Sequence, residues 1–152
     1  MKLSRNFWLA EMIASDAARD LGDNNGPTAE HLGNLRTLAL GMEQVRAILG
    51  GSPIRIESAY RNARVNAAVG GVPNSAHALG LAADFVVAGL SPASAARKLQ
   101  ASKLVFDQLI LETGRAICHI SFAPLLRREV LTQAGGAGTT VVAGLPKAPA
   151  SG

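Results

Sequence analysis

One domain in which helices come first and strands follow is what the sequence predicts, and three observations carry that expectation. The chain has 152 residues, enough to bury a core without a covalent staple. Apolar residues recur at helical spacing through the first third, and after Pro53 they contract into short β-like runs. No stretch approaches the length of a membrane span.

The elements follow in order. Leu9, Met12, Ile13, Ala17 and Leu21 give residues 8–21 one helical stripe, which Gly22 stops. Residues 23–27 are turn-rich, and Leu32, Leu35, Leu38, Met42, Val45 and Leu49 then mark a longer amphipathic helix that ends at Gly50 and Gly51. Residues 54–58 read as a strand. A polar segment, 60–66, and the pair Gly70 and Gly71 follow, with Pro73, Asn74 and Ser75 keeping the connection irregular. Residues 81–87 read as a second strand, and Ser91 with Pro92 opens another helix as cap and first-turn residue. Runs 106–111 and 117–122, separated by Thr113, Gly114 and Arg115, suggest an antiparallel hairpin. Residues 128–132 and 139–145 add candidate edge strands, so the domain is expected over 1–145 with a flexible tail at 146–152.

Charge and cysteine content narrow the classes. A net charge of +4 attracts polyanions, including anionic wall polymers. The basic residues are scattered, at Arg36, Arg46, Arg55, Arg61, Arg64 and Arg115, and aromatics are few, which argues against a nucleic-acid module. Glu11, Asp16 and Asp20 interrupt the start, so it lacks the pattern of a secretory signal and cytoplasmic synthesis is expected. The single Cys118 excludes an internal disulfide.

The chemistry concentrates in residues 75–84, SAHALGLAAD, where a histidine and an aspartate stand seven positions apart in a small, apolar run. A carboxylate such as Asp84 loses hydration on burial and needs a positive partner or several hydrogen bonds to stay ionised. A divalent metal is one such partner. Strand alternation puts Ile117, His119 and Ser121 on one face and Cys118, Ile120 and Phe122 on the other, so His119 is the residue of that run able to join His77 and Asp84. Cys118 is then a small buried hydrophobe. Two imidazoles and one carboxylate with a position left for water match a catalytic zinc site; the alternative is three satisfied structural residues. Zinc would bring the pKa of its water to about 7 and polarise a carbonyl.

A base is needed beside such a site. Glu112 closes the run 106–111, where the hairpin can hold it near His119; it is either that base or a surface glutamate at a strand end. Asp107, in the same run, is the weaker alternative. Arg61 either holds a substrate carboxylate or oxyanion through its fork of donors or is an exposed loop arginine. Ser75 either orients the loop or a ligand, or is a plain turn residue. His31, beside Glu30 on the second helix, is expected to face solvent.

The wording of the motif adds a family. SAHALGLAAD matches the SxHxxGxAxD signature of the zinc D-alanyl-D-alanine carboxypeptidase family, whose members cleave peptidoglycan peptides. NFWLAEMIASDAA, ESAYRNARVNAAVGGVPNSAH, FDQLILE and ICHISF resemble the subgroup of small carboxypeptidases and phage endolysins, in the expected order over roughly residues 3–145. The resemblance implies a small α+β domain of the hedgehog/D-Ala-D-Ala-peptidase-like type, with helices packed on an antiparallel sheet that carries the metal. It implies one zinc ion on His77, Asp84 and His119, with Arg61 and Ser75 near the substrate. Many members have an acidic residue three before the last histidine, and here that position is Ala116. Many also carry a tryptophan one or two positions before that histidine, where this chain has Ile117 and Cys118. Glu112 matches the glutamate of the subgroup's FDQLIxE pattern and is the base that the resemblance leaves.

The functional expectation is a monomeric zinc peptidase cutting stem or cross-link peptides, made in the cytoplasm as a phage or prophage endolysin and acting on the wall after release. The alternative is a catalytically weak or inactive zinc-containing module that binds the wall or serves in a phage particle, an alternative that Ala116 keeps open.

Overall fold

The computed structural model describes residues 1–135 and 139–149. Among them the chain forms α1 (Leu9–Ile13), α2 (Asp16–Leu21), α3 (Ala29–Ile48), β1 (Ile54–Ser58), α4 (Ala63–Ala68), α5 (Ala76–Leu79) and β2 (Ala82–Val87). It continues through α6 (Pro92–Ala101), β3 (Gln108–Glu112), β4 (Ile117–Ser121), β5 (Glu129–Gln133) and β6 (Val141–Ala143). The strands make one sheet in the order β1-β2-β4-β3-β5-β6. Residues 150–152 of the expected tail lie outside the described residues.

Three local differences from the sequence reading have simple causes. The first helical stripe is two helices, because Ser15 accepts from the Ala18 N–H and caps α2, leaving Ala14 extended. That break matters, since residues 14–17 then line the cleft described below. The segment expected to be irregular after β1 contains α4 and α5, capped by the side chains of Asn62 and Ser75.

The third difference concerns the sheet, which is mixed rather than antiparallel. β3 and β4 form the expected hairpin, Glu112 opposite Ile117 and Gln108 opposite Ser121. From Ser121 the chain crosses the start of β3 and enters β5 beside it, Gln108 opposite Glu129, so β3 and β5 run parallel. Asp107 pins that crossing: its two carboxylate oxygens accept from Arg127 Nε and Nη2, each at 2.9 Å, and Oδ1 also accepts from the Arg127 N–H. The Arg127 hydrogen bonds, against the smaller opposing effect of burial, hold the Asp107 carboxyl below the usual carboxylate range. Asp107 is thereby a structural residue.

Strand alternation divides the sheet into a core face and a site face. Ala83, Phe85, Leu109, Leu111, Cys118 and Ile120 enter the core, against Leu35, Leu38, Met42 and Val45 of α3 and Leu99 of α6. Each aliphatic side chain buried this way contributes about 1.5–3 kcal/mol. Cys118 is buried as expected, its Sγ 3.2 Å from the Pro92 carbonyl, and burial pushes its thiol up to about 12. The opposite face presents Asp84, His119 and Ile110 as neighbours on β2, β4 and β3. No helix among the described residues is long and apolar enough to cross a membrane.

Candidate functional site

His77 reaches the site face from a single helical turn. Ser75 accepts from the Ala78 N–H to start α5, and Gly80, at φ 78°, ends it and turns the chain into β2. A side chain at Gly80 would be strained by that φ and would press on the His31 carbonyl, so glycine is required there. This tight turn is how residues seven apart meet. His77 Nδ1 donates to the Ala59 carbonyl at 2.6 Å, which leaves Nε2 facing Asp84 Oδ1 at 3.2 Å.

His119 Nδ1 lies 2.9 Å from the same Asp84 oxygen, and the two imidazole rings meet edge to face at 5.1 Å. One buried carboxylate oxygen thus faces two ring nitrogens, an arrangement satisfied by ring N–H groups that donate to it or by a cation set between them. Burial is the largest single influence on Asp84 and pushes its carboxyl up. Hydrogen bonds from His119 and His77, with their charges, outweigh it and hold Asp84 well below the usual carboxylate range. His77, Asp84 and His119 offer ligand atoms that all lie within 4.8 Å of one another. Two nitrogens and one oxygen suit zinc with a fourth position open.

Glu112 stands at the same edge. It is 8 % exposed and lies on the site face of β3, two residues from the Ile110 that opposes His119. Its Oε1 accepts from Arg115 Nη1 at 3.1 Å, and the same nitrogen donates to Asp84 Oδ2 at 3.3 Å. Arg115 was legible only as one more scattered cation; its position in a hairpin turn three residues after Glu112 is the signal that singles it out. Burial alone would ease the Arg115 guanidinium toward deprotonation, but Asp84 and Glu112 reverse that and hold it charged more firmly than usual. Ala116 sits at the exposed end of this turn, at φ 53°.

Arg61 enters from the end of β1. Its N–H donates to the His77 carbonyl at 3.2 Å and its Nε to Asn66 Oδ1 at 3.2 Å. Asn66, 2 % exposed, also accepts from Ser75 Oγ at 3.4 Å and donates to the Val72 carbonyl at 2.7 Å. One buried amide therefore positions Arg61, Ser75 and the loop between α4 and α5. Partial burial lowers the Arg61 guanidinium from its ordinary value, Asp84 opposing and Arg115 adding to the shift. These groups, with the buried Asn66 behind them, form the wall of a cleft of about 690 Å³ lined by Arg61, Ser75, His77, Asp84, Glu112, Arg115 and His119, within the size range of small-ligand sites.

The loop offers a test. A Cβ added at Gly71 would overlap Asn66 Oδ1. Gly71→Ala is expected to displace Asn66 and loosen Arg61, raising KM about fivefold with a smaller effect on kcat, the equivalent of about 1 kcal/mol for a lost hydrogen bond. Steady-state kinetics on a soluble peptide substrate measure the split, and an unchanged KM would show that Arg61 does not depend on Asn66.

Of the remaining residues, Asp107 lies outside this cleft in its pair with Arg127. His31 is not simply solvent-facing: it is half-buried, with Nδ1 2.8 Å from the Tyr60 hydroxyl and its ring edge-on to Tyr60. Contact with a residue 29 positions later is invisible to helical periodicity.

A protein-family model described as peptidase M15 matches residues 5–121. The span takes in all six residues singled out for the site and ends on the last residue of β4, so β5 and β6 lie beyond it. No curated protein matches the chain.

Proposed function

The chain belongs to the peptidase M15 family, the zinc D-Ala-D-Ala carboxypeptidase-like peptidases, and from that premise we propose that it hydrolyses amide bonds in the stem or cross-link peptides of peptidoglycan as a phage or prophage endolysin. Membership carries metallopeptidase chemistry with it. The observation that supports this use of the site best is the single Asp84 oxygen set between His77 and His119. Those three residues would hold one zinc ion. When bound there, zinc supplies a Lewis acid that polarises a carbonyl and makes water acidic enough to attack near neutral pH.

The protein's own groups do the rest. Glu112 takes the proton that the attacking water gives up and returns it to the departing amine. Arg61, held by Asn66, offers its remaining donors to a substrate carboxylate or to the developing oxyanion. Ser75 keeps α5, and with it His77, in register. The net charge of +4 favours approach to anionic wall polymers once the monomer is released from the cytoplasm.

Metal analysis combined with mass spectrometry of digested peptidoglycan tests the proposal. One equivalent of zinc and new amine-ended peptide fragments are expected, and the fragment masses identify the bond cut. Zinc retained without any fragment release would instead favour the wall-binding alternative, and absence of zinc would reject the site.

A further inference from the structure

We propose that Arg115 is a positioning residue for the metal centre: one guanidinium nitrogen ties Asp84 to Glu112, so that Asp84 presents a single oxygen to the metal and Glu112 is kept at the edge of the site. The inference rests on the zinc-peptidase reading above. Its basis is the division of the Asp84 carboxylate. Oδ1 faces both imidazoles, at 3.2 and 2.9 Å, while Oδ2 accepts from Arg115 Nη1 at 3.3 Å. With Oδ2 engaged by Arg115, the carboxylate is oriented so that Oδ1 is the oxygen turned toward the two imidazoles.

The same nitrogen holds Glu112 Oε1 at 3.1 Å. Arg115 Nη1 therefore lies between two carboxylates that converge on one buried site and would otherwise repel. The side chains of Asp84 and Glu112 are 3 % and 11 % exposed, whereas that of Arg115 is 46 % exposed. Arg115 thus covers the pair from the solvent side. The backbone supports this placement at some cost: Ala116, next in the chain, takes a left-handed conformation at φ 53°, and its N–H closes the turn onto the Thr113 carbonyl at 3.3 Å. That turn brings Arg115 back over the strand end it has just left.

The test uses the full chain loaded with cobalt(II) in place of zinc, as wild type, Arg115→Met and Arg115→Lys. In Arg115→Met the freed Asp84 oxygen is expected to raise the coordination number and weaken the visible cobalt bands. kcat should fall about 10- to 100-fold with KM within twofold. Arg115→Lys should restore the wild-type spectrum and part of kcat, and melting of the metal-free proteins checks that all three fold. An Arg115→Met spectrum identical to wild type overturns the inference, as does a raised KM with unchanged kcat, which would make Arg115 a substrate-binding group. Those results leave the zinc-peptidase reading standing, because wild type would still show cobalt bands; a wild type that takes up no metal removes both.

Discussion

Asp84→Ala is expected to lose the metal and, with it, about 10³-fold or more of turnover, since a Lewis acid at the reacting carbonyl supplies several kcal/mol of the barrier reduction. In the folded protein Asp84 is the buried anion that faces His77, His119 and Arg115. Remove it and the donor cluster keeps only its two imidazoles, with the guanidinium groups of Arg61 and Arg115 lining the same cleft, so a divalent cation loses its one anionic ligand. Dialysed Asp84→Ala should retain well under a tenth of an equivalent of zinc. Adding zinc after chelation should restore wild type and leave the variant inactive.

The fold should survive this substitution. Imidazoles without a counter-charge can stay neutral, and removing a buried carboxylate also removes its desolvation cost. A change of no more than about 1–2 kcal/mol is expected in the metal-free protein, on the scale of a lost hydrogen bond or two. Thermal melts of chelated wild type and variant measure it. If Asp84→Ala binds a full equivalent of zinc, the ligand set is wrong; if it fails to fold, Asp84 is a structural residue first.

How much of this was readable from the chain depends on which force set each feature. The separation of His119 from Cys118 follows from the two-residue period of a strand, and the structure keeps it, with one on the site face and the other in the core. The pairing of His77 with Asp84 needed Gly80 to reverse the chain between α5 and β2, and glycine after a capped turn is visible in the sequence. Arg115 was not visible as a site residue, because its role depends on a left-handed alanine that folds the hairpin turn over Glu112. Nor was the parallel pairing of β5 with β3. Periodicity reports that residues 129–133 are strand-like, but direction is decided by a loop crossing the start of β3 and by the Asp107 to Arg127 pair that fastens it. The break between α1 and α2 fell to a similar ambiguity, since serine is tolerated within a helix and favoured at its cap.

Glu112→Gln is the substitution that separates an enzyme from a metal-holding module. Glutamine keeps the shape and can still accept from Arg115, yet it cannot take a proton, so kcat should fall by about 10²- to 10⁴-fold. Zinc content should stay at the wild-type level, because Glu112 is not one of the three clustered donors. KM should change little, since Arg61 and its Asn66 support are untouched. The comparison with Asp107 sharpens the test. The two acids are five positions apart on extended chain, which puts them on opposite faces and about 16 Å from each other at about 3.3 Å per residue. Asp107 is already committed to Arg127. Asp107→Asn should therefore cost stability, most visibly above about pH 4. The paired carboxylate titrates below its unfolded value, so its contribution is present above that value and disappears as the pH falls through the lower folded one. Turnover of the folded Asp107→Asn protein should match wild type. Clearing of permeabilised cells at the wild-type rate by Glu112→Gln would reject Glu112 as the base. Loss of zinc from that variant would make it a fourth ligand instead. A family pattern that offers an acid where this chain has Ala116 is compatible with catalysis only if the proton is handled elsewhere, and Glu112 is the buried carboxylate in this cleft, outside the three donors, that lies close enough to Asp84 to share a guanidinium nitrogen with it.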